Sequence, residues 1–275
     1  MSGLAAFLLR RGATVSGTDA SRSAVLELLE RSGARLYAHG NAESIPPDVD
    51  VVVRSAAITD GHAEIVAAQQ RGVRVVKYAE MLGALMAHCN GIAISGTHGK
   101  STSTAWLAYV LRQAGLDPSY VVGAGVAQLG GASGAGDGPH FVAEACEFDR
   151  SFLNLRPRSA VVLNIEEDHL DCYENLQAIT DAFAEFVGRI PADGLVLLNA
   201  DDANSAPLRS ATNARVETFG VTNDADWRAR NVHEEHGFHT FAIEHEGRAC
   251  AHVTLGIPGR HNVSNALAVA ALAAH

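Results

Sequence analysis

Ile92-Ala93-Ile94-Ser95-Gly96-Thr97-His98-Gly99-Lys100-Ser101-Thr102-Ser103-Thr104 is the stretch that decides the fold. Its apolar start predicts a buried strand over 92–95, its two glycines predict a tight loop, and Lys100 opens a helix expected to run to about 114. Backbone N–H groups of such a loop, together with the positive end of the following helix, stabilise an anion, and the lysine adds a positive charge. The stretch is therefore predicted to hold phosphate.

The predicted nucleotide-binding set is Gly96, Thr97, His98, Gly99, Lys100, Ser101 and Thr102. The hydroxyl of Ser101 is placed to hold a magnesium ion on the phosphates. Ile94 stands where the usual P-loop has a glycine, so a strand-to-helix turn with an incidental lysine remains an alternative. Only two of the 21 basic residues are lysines, Lys77 and Lys100, which makes an incidental lysine at this point less expected.

Composition indicates a globular chain with little affinity for nucleic acid. The 275 residues suffice for one large or two ordinary domains, and 47% are hydrophobic against 19% charged. The formal net charge of -10 argues against nucleic acid as a partner. Four widely spaced cysteines without a C-x-x-C pair indicate a reduced, cytoplasmic compartment. The apolar run 4–9 lacks the flanks of a signal peptide and is too short to span a membrane, so no membrane partner is expected.

Residues 1–88 are predicted to form a Rossmann-like domain with a parallel sheet. A helix over 1–12 and a strand over 13–19 that ends in Asp19 match the second half of a dinucleotide-type βαβ unit. Its first strand and glycine loop would precede Met1, so we expect the chain to start late. Helices over 21–32 and 62–72 alternate with strands over 49–55 and 73–76, which predicts parallel pairing with helices on both faces.

Residues 89–275 are predicted to form a P-loop-type, mostly parallel α/β domain. The expected strands are 92–95, 120–122, 141–143, 160–165 and 195–199, with a helix over 175–189. Ligands bind at the carboxyl ends of parallel strands, so Lys100, Glu144 and His169 are expected to meet at one edge.

The remaining segments of this domain are less regular. The glycine-rich stretch 123–138 is predicted to be a mobile loop, either a connector or a cover over substrate. Alternating residues over 238–255 predict an antiparallel hairpin about Glu246-Gly247. The last helix stops at His275 without a cap, which suggests a truncated chain.

Several motifs stand in the order and near the spacing of one enzyme family across residues 1–275. They are Gly96-Thr97-His98-Gly99-Lys100-Ser101, Val142-Ala143-Glu144-Ala145-Cys146-Glu147, Ser151-Phe152-Leu153, Asn164-Ile165-Glu166-Glu167-Asp168-His169-Leu170-Asp171 and Gly259-Arg260-His261-Asn262-Val263-Ser264-Asn265. On these motifs the chain resembles the Mur ligase family, and within it the branch that adds L-alanine. The resemblance implies most of a UDP-binding domain and most of an ATP-binding domain, without the family's opening strand and third domain.

The resemblance implies an activity in peptidoglycan synthesis. ATP would phosphorylate the lactyl carboxylate of UDP-N-acetylmuramate, and the amine of L-alanine would displace the phosphate to form an amide. One alternative is the related ligase that attaches a whole murein tripeptide to the same sugar nucleotide. Another is a nucleotide-binding module that forms no amide by itself, and we expect this of the 275-residue chain. The sequence sets no oligomeric state.

Residue roles also follow from the resemblance. Lys100 would neutralise the β- and γ-phosphates, and Ser101 would hold one Mg²⁺. Glu144 and His169 would hold a second Mg²⁺, with Mn²⁺ as an alternative because imidazole is an unusual ligand for magnesium. The rival interpretations are that Glu147 or Asp149 replaces Glu144 and that His169 is a core histidine. His98 is expected to be structural.

Three further assignments depend on the resemblance. Asn262 and Asn265 would contact adenine, although Asn262 could instead cap the last helix. Asp19 and Ser55 stand where the family meets the uridine nucleotide, with helix capping as the alternative for each. No lysine follows Lys100. The carbamoylated lysine of several relatives is therefore impossible here, which favours the alanine-adding branch.

Overall fold

The computed structural model describes residues 1–275, and the elements of the first part of the chain are small. They are α1 Ser2–Arg10, β1 Ser16–Thr18, α2 Ala24–Arg31, β2 Arg35–Tyr37, β3 Val51–Arg54, α3 Ala63–Gln70, β4 Arg74–Lys77 and α4 Tyr78–Met86. The sequence predicted this alternation but missed β2 and α4. The boundary near residue 88 stays a prediction.

Strands of the first part pair in parallel, as predicted, but they do not form one sheet. β1 pairs with β2 and β3 pairs with β4, and no ladder joins the two pairs. The predicted parallel pairing is therefore present, but it is divided between two separate two-stranded sheets. β1 and β2 are three residues long and largely open to solvent, so each offers few backbone hydrogen bonds to a further neighbour.

The rest of the chain forms one large mixed sheet. Its elements are β5 Asn90–Ser95, α5 Lys100–Gln113, β6 Ser119–Val126, β7 Gly131–Gly134, β8 His140–Glu144, β9 Ser159–Val162, α6 Leu176–Gly188, β10 Leu195–Asn199, β11 Arg215–Gly220, β12 Trp227–Glu235, β13 Phe238–His245, β14 Arg248–Thr254 and α7 His261–Ala273. The spatial order is β14-β13-β12-β11-β10-β9-β5-β8-β6-β7.

Strand directions confirm the predicted mostly parallel α/β architecture. All pairs from β12 across to β6 are parallel, whereas β7, β13 and β14 are antiparallel to their neighbours. The hairpin predicted about Glu246-Gly247 is confirmed as β13–β14, and both turn residues have positive φ.

The predicted mobile loop 123–138 is instead an ordered sheet edge. β6 extends to Val126 and pairs with β7, and a short 3₁₀ turn joins them. A Cβ on Gly134 would lie 2.4 Å from the Tyr120 ring, whose hydroxyl donates to the Leu129 carbonyl at 2.7 Å. Glycine here permits close packing rather than motion, which is why the composition misled the prediction.

Two hydrophobic clusters cover the two faces of the large sheet. Ile92 and Ile94 belong to a cluster of 26 buried residues shared with α5 and α7. Ala93 points the other way into a cluster of 23 buried residues shared with α4 and α6. Because β5 is buried on both faces, the loop that follows it starts from a fixed position. None of the helices combines the length and apolarity needed to cross a bilayer.

Candidate functional site

The loop between β5 and α5 has the geometry predicted for a phosphate site. Gly96 and Gly99 have φ of 133° and 83°, both in the left-handed region. A Cβ on Gly99 would also lie 2.6 Å from Oδ1 of Asn265, so no other residue fits without strain. The first N–H groups of α5 have no intrahelical acceptor and are available to an anion.

Lys100 is folded back over this loop. Its Nζ donates to the carbonyls of Gly96 at 2.6 Å and Thr97 at 2.9 Å. It also donates to Oε1 of Glu147 at 3.0 Å. The side chains of Lys100 and Glu147 are only 11% and 2% exposed. Burying such a charge pair costs free energy unless both groups are well hydrogen-bonded, so the lysine is not an incidental surface residue.

His169 lies on the other side of Glu147. Its Nε2 is 3.7 Å from Oε1 of Glu147, and its Nδ1 is 3.8 Å from Oδ1 of Asp168. The backbone φ is 54°, an uncommon value that aims the side chain back at the loop. With 31% of its side chain exposed, His169 is not the core histidine of the rival interpretation. The structure thus brings Lys100 and His169 together, as predicted.

The acid between them is Glu147 rather than Glu144. The carboxylate of Glu144 accepts the N–H of Gly123 at 2.6 Å, and no hydrogen bond or ion pair joins it to Lys100 or His169. β8 ends at Glu144, and the chain then turns into a 3₁₀ segment that brings Glu147 back over the loop. Asp149, the other rival, is exposed. A metal-binding role for Glu144 stays a prediction.

The segment after β9 is hydrogen-bonded to the loop between β5 and α5. Oδ1 of Asn164 accepts the His98 N–H at 2.7 Å, and its Nδ2 donates to the His98 carbonyl at 3.1 Å. Oγ1 of Thr97 accepts the Glu166 N–H at 2.9 Å. The His98 side chain itself is exposed, and its structural part stays a prediction. Asn164 was missed as a site residue, although it lies inside the motif that contains His169.

Asn262 and Asn265 are buried beside the same loop. Nδ2 of Asn262 donates to the Pro258 carbonyl at 2.7 Å, and its Oδ1 accepts from Asn265 at 3.2 Å. Asn262 therefore does not cap α7, because its side-chain oxygen accepts no N–H of the first turn. The capping alternative is wrong, and the adenine contact stays a prediction.

Two further side chains at the site escaped the sequence analysis. The Tyr173 hydroxyl donates to the Glu147 carbonyl at 2.6 Å, and burial raises the pKa of this phenol to about 12. Cys146 lies between Glu144 and Glu147, and burial, reinforced by the Glu147 and Glu144 charges, raises the pKa of its thiol. The thiol is therefore held neutral and is a poor nucleophile.

Asp19 and Ser55 lie apart from this group, with no hydrogen bond or ion pair to it. Asp19 accepts the Ser21 N–H at 3.0 Å, and that bond lowers the pKa of its carboxyl. The helices that follow begin at other caps, Ser23 for α2 and His62 for α3, so the capping alternative is wrong for both residues. Their uridine role stays a prediction.

The donors at the loop suit a hard divalent cation beside a nucleotide. Oε2 of Glu147 is buried 3.0 Å from the lysine amine but has no aligned hydrogen bond. Glu144 adds a second carboxylate three residues away, and the partly exposed Ser101 adds a hydroxyl at the first turn of α5. Oxygen ligands outnumber the single imidazole of His169, which fits Mg²⁺ and also Mn²⁺.

A cavity of about 730 Å³ lies at the opposite edge of the sheet, near the start of β5 and β9. Its lining includes Arg11, Arg156 and Arg158 and none of the predicted site residues. This cavity is therefore separate from the residues that the sequence predicted as a site.

Two domain families match the chain. The Mur ligase middle domain matches residues 94–273, and the Mur ligase family catalytic domain matches residues 1–90. Together these matches span both parts of the chain.

Individual relatives agree with the family matches. The chain is 42% identical over 274 residues to the UDP-N-acetylmuramate–L-alanine ligase of Geotalea daltonii, covering 99% of this chain and 59% of that protein. It is 38% identical over 270 residues to the ligase of the same name from Caldanaerobacter subterraneus, covering 98% and 58%. The chain thus spans less than two thirds of the curated relatives it matches.

Solved structures show the same fold. A UDP-N-acetylmuramate:L-alanyl-gamma-D-glutamyl-meso-diaminopimelate ligase from Neisseria meningitides superposes with a TM-score of 0.86 at 30% identity, covering 100% of this chain and 90% of that one. The UDP-N-acetylmuramate-alanine ligase of Thermotoga maritima superposes with a TM-score of 0.80 at 27% identity, covering 99% and 61%.

Proposed function

The chain belongs to the Mur ligase family, and we propose that it is the sugar-nucleotide-binding and ATP-binding part of an enzyme that ligates L-alanine to UDP-N-acetylmuramate. The observation that carries the proposal is the group formed by Lys100, Glu147 and His169 at the head of α5. The substrates in this proposal are taken from the names of the curated relatives.

Lys100 has the main electrostatic task. A carboxylate that attacks ATP approaches a triphosphate of like charge, and each pair of unit charges about 4 Å apart repels by about 4 kcal/mol at an effective dielectric near 20. In our proposal Lys100 leaves Glu147 and bonds the β- and γ-phosphates, while the free N–H groups of α5 bond the remaining oxygens. The lactyl carboxylate then takes the γ-phosphoryl group and ADP leaves. The amine of L-alanine attacks the resulting acyl phosphate, phosphate leaves, and the amine loses a proton as the amide forms.

Bound Mg²⁺ would supply further charge neutralisation between the γ-phosphate and the attacking carboxylate. Ser101 is proposed to hold one such ion, and Glu144 and His169 are proposed to hold a second, with Mn²⁺ as the alternative ion. Glu147 contacts both Lys100 and His169, so we assign it to positioning them. Asn265 supports the loop through Gly99, and the adenine contact of Asn262 and Asn265 completes the proposed ATP site.

Separate Glu144→Gln and Glu147→Gln variants distinguish these two carboxylates. If Glu144 holds the metal, Glu144→Gln raises the Mg²⁺ concentration needed for ATP binding at least about tenfold while leaving metal-free ATP affinity unchanged. Glu147→Gln instead changes metal-free ATP affinity, because it releases Lys100. The reverse pattern would transfer the ligand role to Glu147. Binding is measured by calorimetry with and without Mg²⁺.

The activity is tested in a chimera. The chain is joined to the segments of the Geotalea daltonii ligase that it does not match, and ADP release is measured with ATP, UDP-N-acetylmuramate and L-alanine. We expect ADP release that requires both co-substrates and disappears in Lys100→Ala. The 275-residue chain alone is expected to bind ATP without forming the amide. No ADP release with L-alanine in a folded chimera would refute the proposal.

A tripeptide ligase is the second candidate. One observation favours it, since the Neisseria ligase that acts on the longer peptide superposes with a TM-score of 0.86 against 0.80 for the Thermotoga alanine ligase. The curated sequence relatives, at 38% and 42% identity, carry the alanine name. To test this candidate, the chain is joined to the segments of the Neisseria enzyme that it does not match, and ADP release is measured with tripeptide in place of L-alanine.

The domain division near residue 88 is also part of the proposal. It predicts that residues 89–275 bind ATP without the first part of the chain.

A further inference from the structure

A group of side chains that could hold a metal ion lies in the first part of the chain, outside the nucleotide loop. It consists of His39, His62 and Glu64, each of which offers one donor atom within 4.8 Å of the other two. His39 follows β2, whereas His62 and Glu64 stand at the start of α3. Three donors from two separate elements therefore converge on one point.

The bonding of Glu64 resembles that of a pre-oriented ligand. Its Oε2 accepts the Thr18 hydroxyl at 2.8 Å, and its Oε1 accepts the Gly40 N–H at 2.7 Å. Each carboxylate oxygen has a second lone pair free for a metal, and metal-binding carboxylates are characteristically fixed by such outer bonds. Glu64 is 9% exposed, so its charge is poorly solvated and gains from a neighbouring cation.

The imidazole of His62 provides an independent observation. Its Nδ1 is buried and has no hydrogen-bond partner. Buried polar atoms almost always have a partner, so we expect the partner of this nitrogen to come from outside the chain. The ring of His39 lies 5.1 Å away, centroid to centroid, and is exposed enough to rotate toward a shared ligand.

The charges at this point select a cation rather than an anion. An anion would have to approach the Glu64 carboxylate, whereas a cation is attracted by it. The positive end of α3 opposes a cation, but this effect is weak beside direct coordination by three donors. Two imidazoles and one carboxylate suit Zn²⁺ with a water as fourth ligand, while Ca²⁺ and Mg²⁺ prefer oxygen donors.

We propose that His39, His62 and Glu64 form a binding site for Zn²⁺ or a similar transition-metal ion. The ion would tie the end of β2 to the start of α3. These elements belong to the β1–β2 pair and the β3–β4 pair, which share no ladder. Metal binding therefore stabilises the first part of the chain by linking its two small sheets.

Cobalt titration tests the site, because tetrahedral Co²⁺ in a Zn²⁺ site absorbs visible light. The 275-residue chain is used in a His169→Ala background, which removes the imidazole at the nucleotide loop. We expect one equivalent of Co²⁺ to bind without a thiolate charge-transfer band, and Zn²⁺ to displace it. His39→Ala and His62→Ala should each weaken binding at least about tenfold. His252→Ala, an exposed histidine on β14, is the matched control and should change nothing.

Thermal unfolding provides the second measurement. Zn²⁺ should raise the melting temperature of the background chain and of His252→Ala, but not of His39→Ala or His62→Ala. Glu64→Gln is avoided, because it would also break the bonds to Thr18 and Gly40. Equal Co²⁺ binding in the two imidazole variants and the control would overturn the proposal, and so would the absence of any visible Co²⁺ spectrum.

Discussion

Residues 1–88 and residues 89–275 use the same α/β alternation with very different amounts of buried apolar surface. The second part has ten paired strands and a large hydrophobic cluster on each face. The first part has two isolated strand pairs, and neither cluster contains a buried residue before Leu82. Burial of apolar area is the main source of stability. We therefore expect rigidity at the nucleotide loop and easy local opening in the first part.

The two parts are in contact through α1 and α4. Phe7 of α1 stacks on Phe141 of β8, with centroids 5.2 Å apart, and Arg10 pairs with Asp137 at 2.7 Å. The carbonyl of Asn154 lies where a Cβ on Gly83 would sit, so α4 packs directly on the second part. The first part therefore gains some of its stability from packing on the second part.

The largest expected effect concerns the buried charge on the rigid side. Lys100→Met should destabilise the chain by about 3–5 kcal/mol, because Glu147 would be left buried without its partner. It should also lower ATP affinity about a thousandfold, since about 4 kcal/mol of phosphate attraction is lost. Denaturant unfolding and calorimetry measure the two losses.

A double variant serves as the control for this prediction. Lys100→Met with Glu147→Gln should recover most of the stability but none of the ATP affinity, because no charge is then stranded. Full stability in the single variant would show that Glu147 can relax into solvent, and the contrast between a rigid and a soft part would fail.

Core truncations compare the two parts directly. Phe152→Ala removes a ring that stacks on Phe186 at 4.8 Å, and it should cost about 3–5 kcal/mol. Ile65→Ala, equally buried in the first part, should cost about 2 kcal/mol, near the low end for such changes, because its surroundings can collapse. Hydrogen exchange should accelerate throughout the large sheet in the first variant and only within residues 1–88 in the second. Uniform acceleration in both would mean one cooperative unit.

A glycine pair sharpens the description of the loop. Gly99→Ala and Gly115→Ala both force a positive φ on alanine, which costs about 1–2 kcal/mol. Only at Gly99 does the new Cβ also meet Asn265, whereas nothing lies within 4 Å at Gly115. Gly99→Ala should therefore be the more destabilising and should alone weaken ATP binding. Equal losses of stability in the two variants would show that the Asn265 contact yields without cost.

The smallest expected effect is on pH dependence. Tyr173 has an ordinary pKa near 10 when unfolded and about 12 in the folded chain. A raised folded pKa means that its stabilising contribution is complete below pH 10 and is lost as the pH rises through 12. Tyr173→Phe should cost about 1 kcal/mol at neutral pH, for the lost bond to Glu147. Between pH 10 and 12 its stability should fall less than that of the parent chain, and a parallel fall would contradict the assignment.

The sequence predicted the sheet that carries the loop because its signals are local. A buried run at 92–95, two glycines and Lys100 specify strand, turn and helix with no help from distant residues. The approach of Lys100 and His169 to the same carboxylate, Glu147, was in keeping with the rule that the carboxyl ends of parallel strands meet at one sheet edge. The choice between Glu144 and Glu147 did not follow, since it depends on how a 3₁₀ segment turns after β8.

Other features of the fold could not be predicted from local sequence patterns. Glycines in 123–138 predicted mobility because composition does not distinguish freedom from tight packing, and the Tyr120 contact that decides the matter is made across strands. The separation of β1–β2 from β3–β4 depends on strands too short to show periodicity. The group of His39, His62 and Glu64 was not predicted, because His39 follows β2 and meets the start of α3 only in the fold.

In its folded-back position, the amine of Lys100 is neutralised by Glu147 of the same chain. An amine already saturated by two carbonyls and a carboxylate exerts little pull on stray anions from solvent. When a triphosphate binds that amine, Glu147 is left as an unpaired charge in a buried position. A second cation is then needed to stabilise this carboxylate. Arrival of the nucleotide and recruitment of a divalent ion are thereby coupled, and each should tighten the other by the same factor.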